Sequence, residues 1–464
     1  MKKNILYVMI ANIISLAISL VTNLMLPKYL SVHTYSQIKT YTLYLSYVGF
    51  FHFGYNDGMY LKYGGKELTG ISNKEFGSNF YNYLFLELFV TAIFLIVGVF
   101  TRDLLIIAFS FGLLTSNIIG YFKSFYQAVG EFKAYSVALN LEKVILLIVN
   151  LFLLFIINTD DYILYIGLQV IIQITIMIYL TVLLHKKFSF INHIAFSFRE
   201  MEDNIQTGFV LMLGNFSSGI LTGLDRWFIK LLMNTASFAA YSFAVSLENM
   251  INIFVTPITF TLYNYLCNNH QPKAVLRIKK MSLIWGFLVI SAAFPCKFVI
   301  ENFIEKYKDA SSIIFILFST QIFYIVIKGI YINLYKVYGK QRNYFLQTII
   351  IVVIAFVLNI IMYTLFRSKE SIAVATLITS ALWLIICEVK DEQNRFKINE
   401  VVAIVCVLFS FITYGILLDA VLGFFIYIIT CIIVSCIFMR DSVVDIKREI
   451  IKTIKKLRMS VTSS

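Results

Sequence analysis

Charge is what this sequence has least of. Only 14% of its 464 residues are Asp, Glu, Lys or Arg, against about a quarter in a soluble domain, so a water-facing globular surface is excluded. Recognisable chemistry is also scarce. No GxxxxGK[ST] loop occurs, and "GKQRN" lacks the upstream glycine, which argues against ATP hydrolysis within the chain. The six cysteines, Cys267, Cys296, Cys387, Cys406, Cys431 and Cys436, form no CxxC pair and read as apolar filler. His33, His52, His185, His193 and His270 are scattered without metal-ligand spacing. Nothing pairs a nucleophile with a base, so no cofactor, metal or enzyme is expected.

Apolar residues are what the chain has instead, at 59%, with a mean hydropathy of +0.81. A bilayer core of roughly 30 Å needs roughly 20 residues of helix, and in lipid the backbone must bond to itself. The expected fold is an all-α polytopic membrane protein with about 14 helices. They fall near 5–26, 38–61, 77–100, 104–128, 135–158, 162–184, 205–233, 238–266, 281–300, 311–335, 344–366, 371–387, 401–418 and 421–439. Only Asp419 and Ala420 part the last two, so 12 or 13 spans also fit. The N-terminus has the charged start of a signal peptide, but no clear cleavage site follows, and it reads as an uncleaved first span.

Lys and Arg mark the cytoplasmic side. With these edges about 28 of the 39 basic residues fall on the N-terminal side, among them "HKKF", "RIKK", "KVYGKQR" and the tail "DIKREIIKTIKKLR". Both termini are expected in the cytoplasm of a bacterial cell, and this asymmetry accounts for the +13 balance without nucleic acid. Two readings fit the tail: a topology signal, or an amphipathic helix on anionic lipid. Loops on the other side are short, leaving no room for the large external domain that membrane transferases or polymerases use.

Polar groups inside the spans are therefore the places to look. In "TGLDRWFIKLLMN" the helical period puts Asn215, Thr222, Asp225, Arg226 and Lys230 opposite an apolar face. Either a water-filled cavity or a structural ion pair between helices would account for Asp225 and Arg226. Lys328 in "YIVIKGIYIN" is a second cation, placed in a cavity or snorkelling. Glu87, on a stripe with Asn79, Tyr83 and Thr91, and Glu248, beside Asn249, are candidates for coupling a proton or Na⁺, or for interhelical hydrogen bonding. Asp57 and the Glu142–Lys143 pair lie near cytoplasmic ends, where capping or anchoring competes with transport. Lys28, Arg226 and Lys328 would suit an anionic head group, since guanidinium and ammonium both bind phosphate oxygens.

Shifting the chain by 202 residues lays "KYLSVHTYSQIKTYTLYL" over "KLLMNTASFAAYSFAVSL", a faint repeat of the kind transporters use. Expected domains are an N-terminal lobe (1–200), a C-terminal lobe (201–390), two further helices (391–440) and a basic tail (441–464). "NLMLPKYLSVHTYSQ", "FGYNDGMYLKYGG" and above all "LDRWFIKLLMNTASFAAYSFA" resemble the polysaccharide transporter branch of the multidrug/oligosaccharidyl-lipid/polysaccharide exporter superfamily, which includes the O-antigen and capsule repeat-unit flippases. The resemblance implies two six-helix lobes around a central, often cationic, cavity that opens alternately to each face. It implies a substrate of undecaprenyl diphosphate bearing an oligosaccharide, moved across the plasma membrane for surface polysaccharide synthesis, with the polymerase and glycosyltransferases as partners. The Asp225–Arg226 pair matches the acidic-basic pair common in that branch's seventh helix; Lys328, Glu87 and Glu248 match no fixed motif. The rivals are a multidrug or small-cation antiporter of the same superfamily, which would want an acidic cavity, and a membrane acyltransferase or polymerase.

Overall fold

The computed structural model describes residues 2–188, 196–268, 271–391 and 394–448. His193, His270 and the tail from 449 onward lie outside the described residues. Helices make up the described chain, with no strand among them. Two compact units form, Met1–Ala239 and Ala240–Ser464.

The first unit holds α1 (Lys2–Tyr29), α2 (Val32–Leu45), α3 (Tyr55–Tyr63), α4 (Asn73–Thr101), α5 (Leu104–Ala128), α6 (Phe132–Phe152), α7 (Tyr162–Phe188) and α8 (Phe198–Leu232). α9 (Thr235–Asn268) starts at its end and continues into the second unit. The second adds α10 (Pro272–Val289), α11 (Ala293–Phe303), α12 (Ala310–Val326), α13 (Ile332–Val337), α14 (Gln341–Phe366), α15 (Lys369–Lys390), α16 (Ile398–Leu417) and α17 (Ala420–Phe438). Among the described residues ten helices are long and apolar enough to cross a bilayer, or eleven with the bent α8. Many of their large side chains face outward, such as Phe100, Leu231, Phe409 and Leu417, as lipid-facing helices require.

Helix ends follow local chemistry. Ser31, Ser72, Asp103, Ser197 and Asp419 each accept a hydrogen bond from a backbone N–H of the helix they precede. Asp419 thus separates α16 from α17, where the sequence showed little more than a two-residue gap. The junctions aligned by the 202-residue shift are alike. α1 ends at Tyr29 and α8 at Leu232; Ser31 caps α2 through Thr34 N, and Asn234 accepts from Ser237 N.

The expected second span, 38–61, is not one helix. α2 stops at Leu45, a 3₁₀ turn covers Val48–Phe50, and Phe53 and Gly54 take positive φ of 50° and 89° before α3 begins. The apolar run is continuous, but the backbone turns where Gly54 removes the steric cost of the left-handed region. Side chains satisfy the opened backbone: Asn117 donates to the Val48 carbonyl at 3.1 Å, and His52 Nδ1 accepts from Gly54 N at 3.1 Å.

α3 then lies on α8 at backbone contact. A Cβ on Gly58 would come 2.0 Å from the Asn204 carbonyl, and one on Gly208 would come 2.0 Å from the Gly54 carbonyl. "GYNDG" is a GxxxG pair, the pattern that lets membrane helices approach closely. This packing lies within the first compact unit. Around it sits an aromatic core of Tyr55, Tyr63, Phe76, Phe80, Tyr83, Tyr121, Phe122 and Phe125, with Tyr83 stacked on Tyr121 at 4.9 Å. In the second unit α12 is the most enclosed helix, and every residue from Ile313 to Val326 is buried.

Gly58→Ala and Gly208→Ala are expected to force α3 and α8 apart, at about 1–3 kcal/mol or more each. Gly167→Ala, whose added Cβ meets nothing within 4 Å, should change stability by less than about 0.5 kcal/mol. Thermal unfolding of the three purified variants measures the difference.

Candidate functional site

Many of the described charges have dedicated partners. Glu200, in the first turn of α8, is a hub among them. It accepts from Lys62 on α3 at 2.7 Å and from Ser78 on α4 at 2.6 Å, with Asn79 and Asn82 at 3.5 and 3.4 Å. Higher on the same crossing, Asn215 donates to Asp57 at 3.3 Å, and the His52 Nε2 stands 3.9 Å from the other oxygen of Asp57. Asp57 thus lies in the first turn of α3 and ties it to α8.

The second unit holds its cations the same way. "RIKK", a topology signal by composition, is wholly paired: Arg277 with Asp445 at 2.8 Å, Lys279 with Glu388 at 2.6 Å, and Lys280 with Glu400. Lys279 is fully enclosed, and it also donates to the Tyr331 hydroxyl at 2.7 Å and to the Asn394 carbonyl. Lys297 donates to the Gly415 and Leu418 carbonyls, both at 2.7 Å, which closes the end of α16.

The opening in this pattern lies between α2 and α8. Asp225 is buried and turns back on its own helix, accepting from Arg226 N at 2.7 Å. Arg226 is half-buried, and its Nε is enclosed with no hydrogen-bond partner. Facing it from α2 is Lys39, half-buried and within the electrostatic reach of Arg226; its ammonium donates to Asn23 on α1 at 3.5 Å and sits 5.2 Å from the Tyr35 ring. Trp227 stacks on Tyr44 at 5.6 Å and leans on Tyr47 at 6.0 Å. Gly223 leaves room for the Tyr47 hydroxyl and Arg226 Nη2, 2.3 and 3.5 Å from where a Cβ would be. Like charges within each other's field in a low-dielectric setting repel, and a bound anion would relieve both.

Other predicted residues are placed elsewhere. Lys28 is exposed in the last turn of α1, where a cation suits the helix end, with its ammonium 5.4 Å from the Tyr29 ring. Thr222 donates to Gly219 O of its own helix at 3.0 Å. Glu87 is wholly buried: Oε2 accepts from Asn117 at 2.9 Å, and Oε1 has no partner. In the second unit Glu248 accepts from Gln321 at 2.7 Å and Thr320 at 3.2 Å, and acts electrostatically on Lys328. Lys328 sits in a π turn, Ile327–Tyr331, of the sort common at functional sites, 5.0 Å from the Tyr324 ring. Sequence reasoning missed Lys39, which stands at the edge of the expected second span; its place four residues after Tyr35 in "YSQIKTYTLY" was the available signal.

Polar and ionic groups set within a bundle of membrane-crossing helices are the features of a multi-pass transporter. Its fold is similar to that of lipid II flippase MurJ in the inward closed conformation, with a TM-score of 0.71 at 16% identity over 95% of this chain and 100% of that one. Matches at lower TM-scores include a MATE protein in complex with Br-NRF (0.46, 11% identity) and an outward-facing multidrug resistance MATE family transporter of the MOP superfamily (0.45, 11% identity), each over 84% of this chain and 95% of the other. The chain belongs to the polysaccharide biosynthesis protein family, whose model matches residues 1–270. No curated protein matches it by sequence.

The paired charges should behave as structure. Glu388→Leu alone, which strands the enclosed Lys279, is expected to cost about 3–5 kcal/mol. The double variant Lys279→Met/Glu388→Leu should recover most of that in a thermal unfolding series.

Proposed function

We propose that this protein is a flippase that moves undecaprenyl diphosphate-linked oligosaccharide repeat units across a bacterial plasma membrane by alternating access, for synthesis of a surface polysaccharide such as O-antigen or capsule. The observation that carries this reading is the Lys39–Arg226 pair: two cations held within each other's field among membrane helices, with the buried Arg226 Nε unpartnered. A bidentate guanidinium and a point-charge ammonium are the groups that recognise diphosphate. Family membership supports a polysaccharide pathway, and the fold supports transport. Lys328 and Lys28 are further cations for acidic sugars or phosphate. An acidic drug-binding cavity is what a cation antiporter would need, and the basic pair argues against it.

Coupling is assigned to Glu87. In lipid a buried carboxyl is functional by default, and Asn117 donates to both Glu87 and the Val48 carbonyl in the break between α2 and α3. A proton arriving at or leaving Glu87 therefore bears on that break. Glu248 is the corresponding candidate in the second unit.

Deleting the gene in its host should cause complete lipid-linked oligosaccharide to accumulate and surface polymer to disappear. Wild type should restore both, and Arg226→Ala should not. In a host without a redundant flippase, an unchanged lipid-linked pool would sink the reading. Collapsing the proton gradient should slow transport by the wild type and leave the residual transport of Glu87→Gln unchanged; wild-type transport indifferent to proton and Na⁺ gradients would remove the coupling role.

A further inference from the structure

Charge explains only part of the corner between α2 and α8. Lys39 and Arg226 have aromatic company that a diphosphate does not need: Tyr44 and Trp227 stacked 18° from parallel, and Tyr47 at 57° to the indole. Packing alone does not call for these rings, because a separate stack of Phe50 on Phe216, at 4.2 Å, already joins the same two segments. Tyr44, Tyr47 and Trp227 are each only half-buried, unlike the enclosed aromatic core around Tyr83 and Tyr121. They keep accessible ring surface, with Arg226 Nη2 and the Tyr47 hydroxyl both at Gly223.

We infer that the Tyr44–Trp227 ring pair seats the sugar directly attached to the diphosphate, while Lys39 and Arg226 hold the phosphates, so that this corner selects cargo by carbohydrate as well as by charge. A pyranose carries an apolar face of polarised C–H groups, and an aromatic face is the negative end of the ring quadrupole. Ring stacking of this kind tolerates differences in hydroxyl pattern while still requiring a sugar. The Tyr47 hydroxyl, set over Gly223 beside Arg226 Nη2, stands where it can donate to the oxygen linking sugar and phosphate. The inference rests on the flippase reading above and deepens it: specificity for a glycosylated lipid is placed on named rings.

The test uses the full-length protein in nanodiscs and two kinds of probe: undecaprenyl diphosphate, and undecaprenyl diphosphate carrying N-acetylglucosamine or galactose. Wild type should bind the glycosylated probes more tightly. Trp227→Leu and Tyr44→Leu should weaken them by about tenfold, the scale of one stacking contact, and leave the bare diphosphate lipid unchanged. Trp227→Phe should retain the preference, and it serves as the second variant if Trp227→Leu fails to melt cooperatively. Lys39→Gln and Arg226→Gln should weaken all probes together. Equal binding of bare and glycosylated lipids by the wild type, or equal weakening of both by Trp227→Leu, would overturn the sugar seat and leave the diphosphate reading standing. Binding of neither by the wild type would overturn both.

Discussion

Three glycines allow α3 and α8 to meet backbone to backbone, and the geometry of the first unit depends on that contact. In lipid there is no hydrophobic force to press two apolar helices together, so close approach and polar bonds must do it. Gly54, Gly58 and Gly208 supply the approach. Glu200 fixes the start of α8 to α3 and α4, and Asn215 fixes it again at Asp57. Beyond these two ties α8 bends, and its last turns lie against α2, where Trp227 stacks on Tyr44.

Charges in this chain sort by whether the protein itself answers them. Lys279, Lys280, Arg277 and Lys297 are each met by a carboxylate, a hydroxyl or a carbonyl, and they hold helix ends together. Arg226 Nε, Glu87 Oε1 and Gln321 Oε1 are enclosed without such an answer. A buried donor or acceptor left unmade costs free energy, so atoms of this second kind are where an ion, proton or substrate has something to gain.

Composition revealed the class of the protein because a chain so poor in charge can only be solvated by lipid. Arg226 was legible for the same reason: one charged pair in an apolar run is conspicuous. The rest was not, and the reasons are physical. The break after Leu45 falls inside an unbroken apolar stretch, where only Gly49 and Gly54 hint at a turn. Lys39 stood at the edge of an expected span, where a lysine is unremarkable. Glu200 meets Lys62 across 138 positions, a pairing that no helical period encodes. "RIKK" read as a topology signal, and that reading concealed three ion pairs, because a basic cluster looks the same whether water or carboxylates surround it. The GxxxG pair was present in a quoted stretch, but the helix it approaches lies far along the chain and leaves no local mark.

The interrupted second segment also bears on how the protein is made. α2 has 14 residues and α3 has 9, about 21 and 14 Å of helix, and neither reaches across a core of about 30 Å alone. Their junction exposes backbone groups whose partner, Asn117, lies on α5, while the surface that α3 needs is on α8, some 150 residues later in the chain by the rule that a ribosome delivers segments in order. The nascent protein cannot release its second segment into lipid as a finished hairpin. It must be kept, unsatisfied, beside the insertion machinery until the eighth helix emerges.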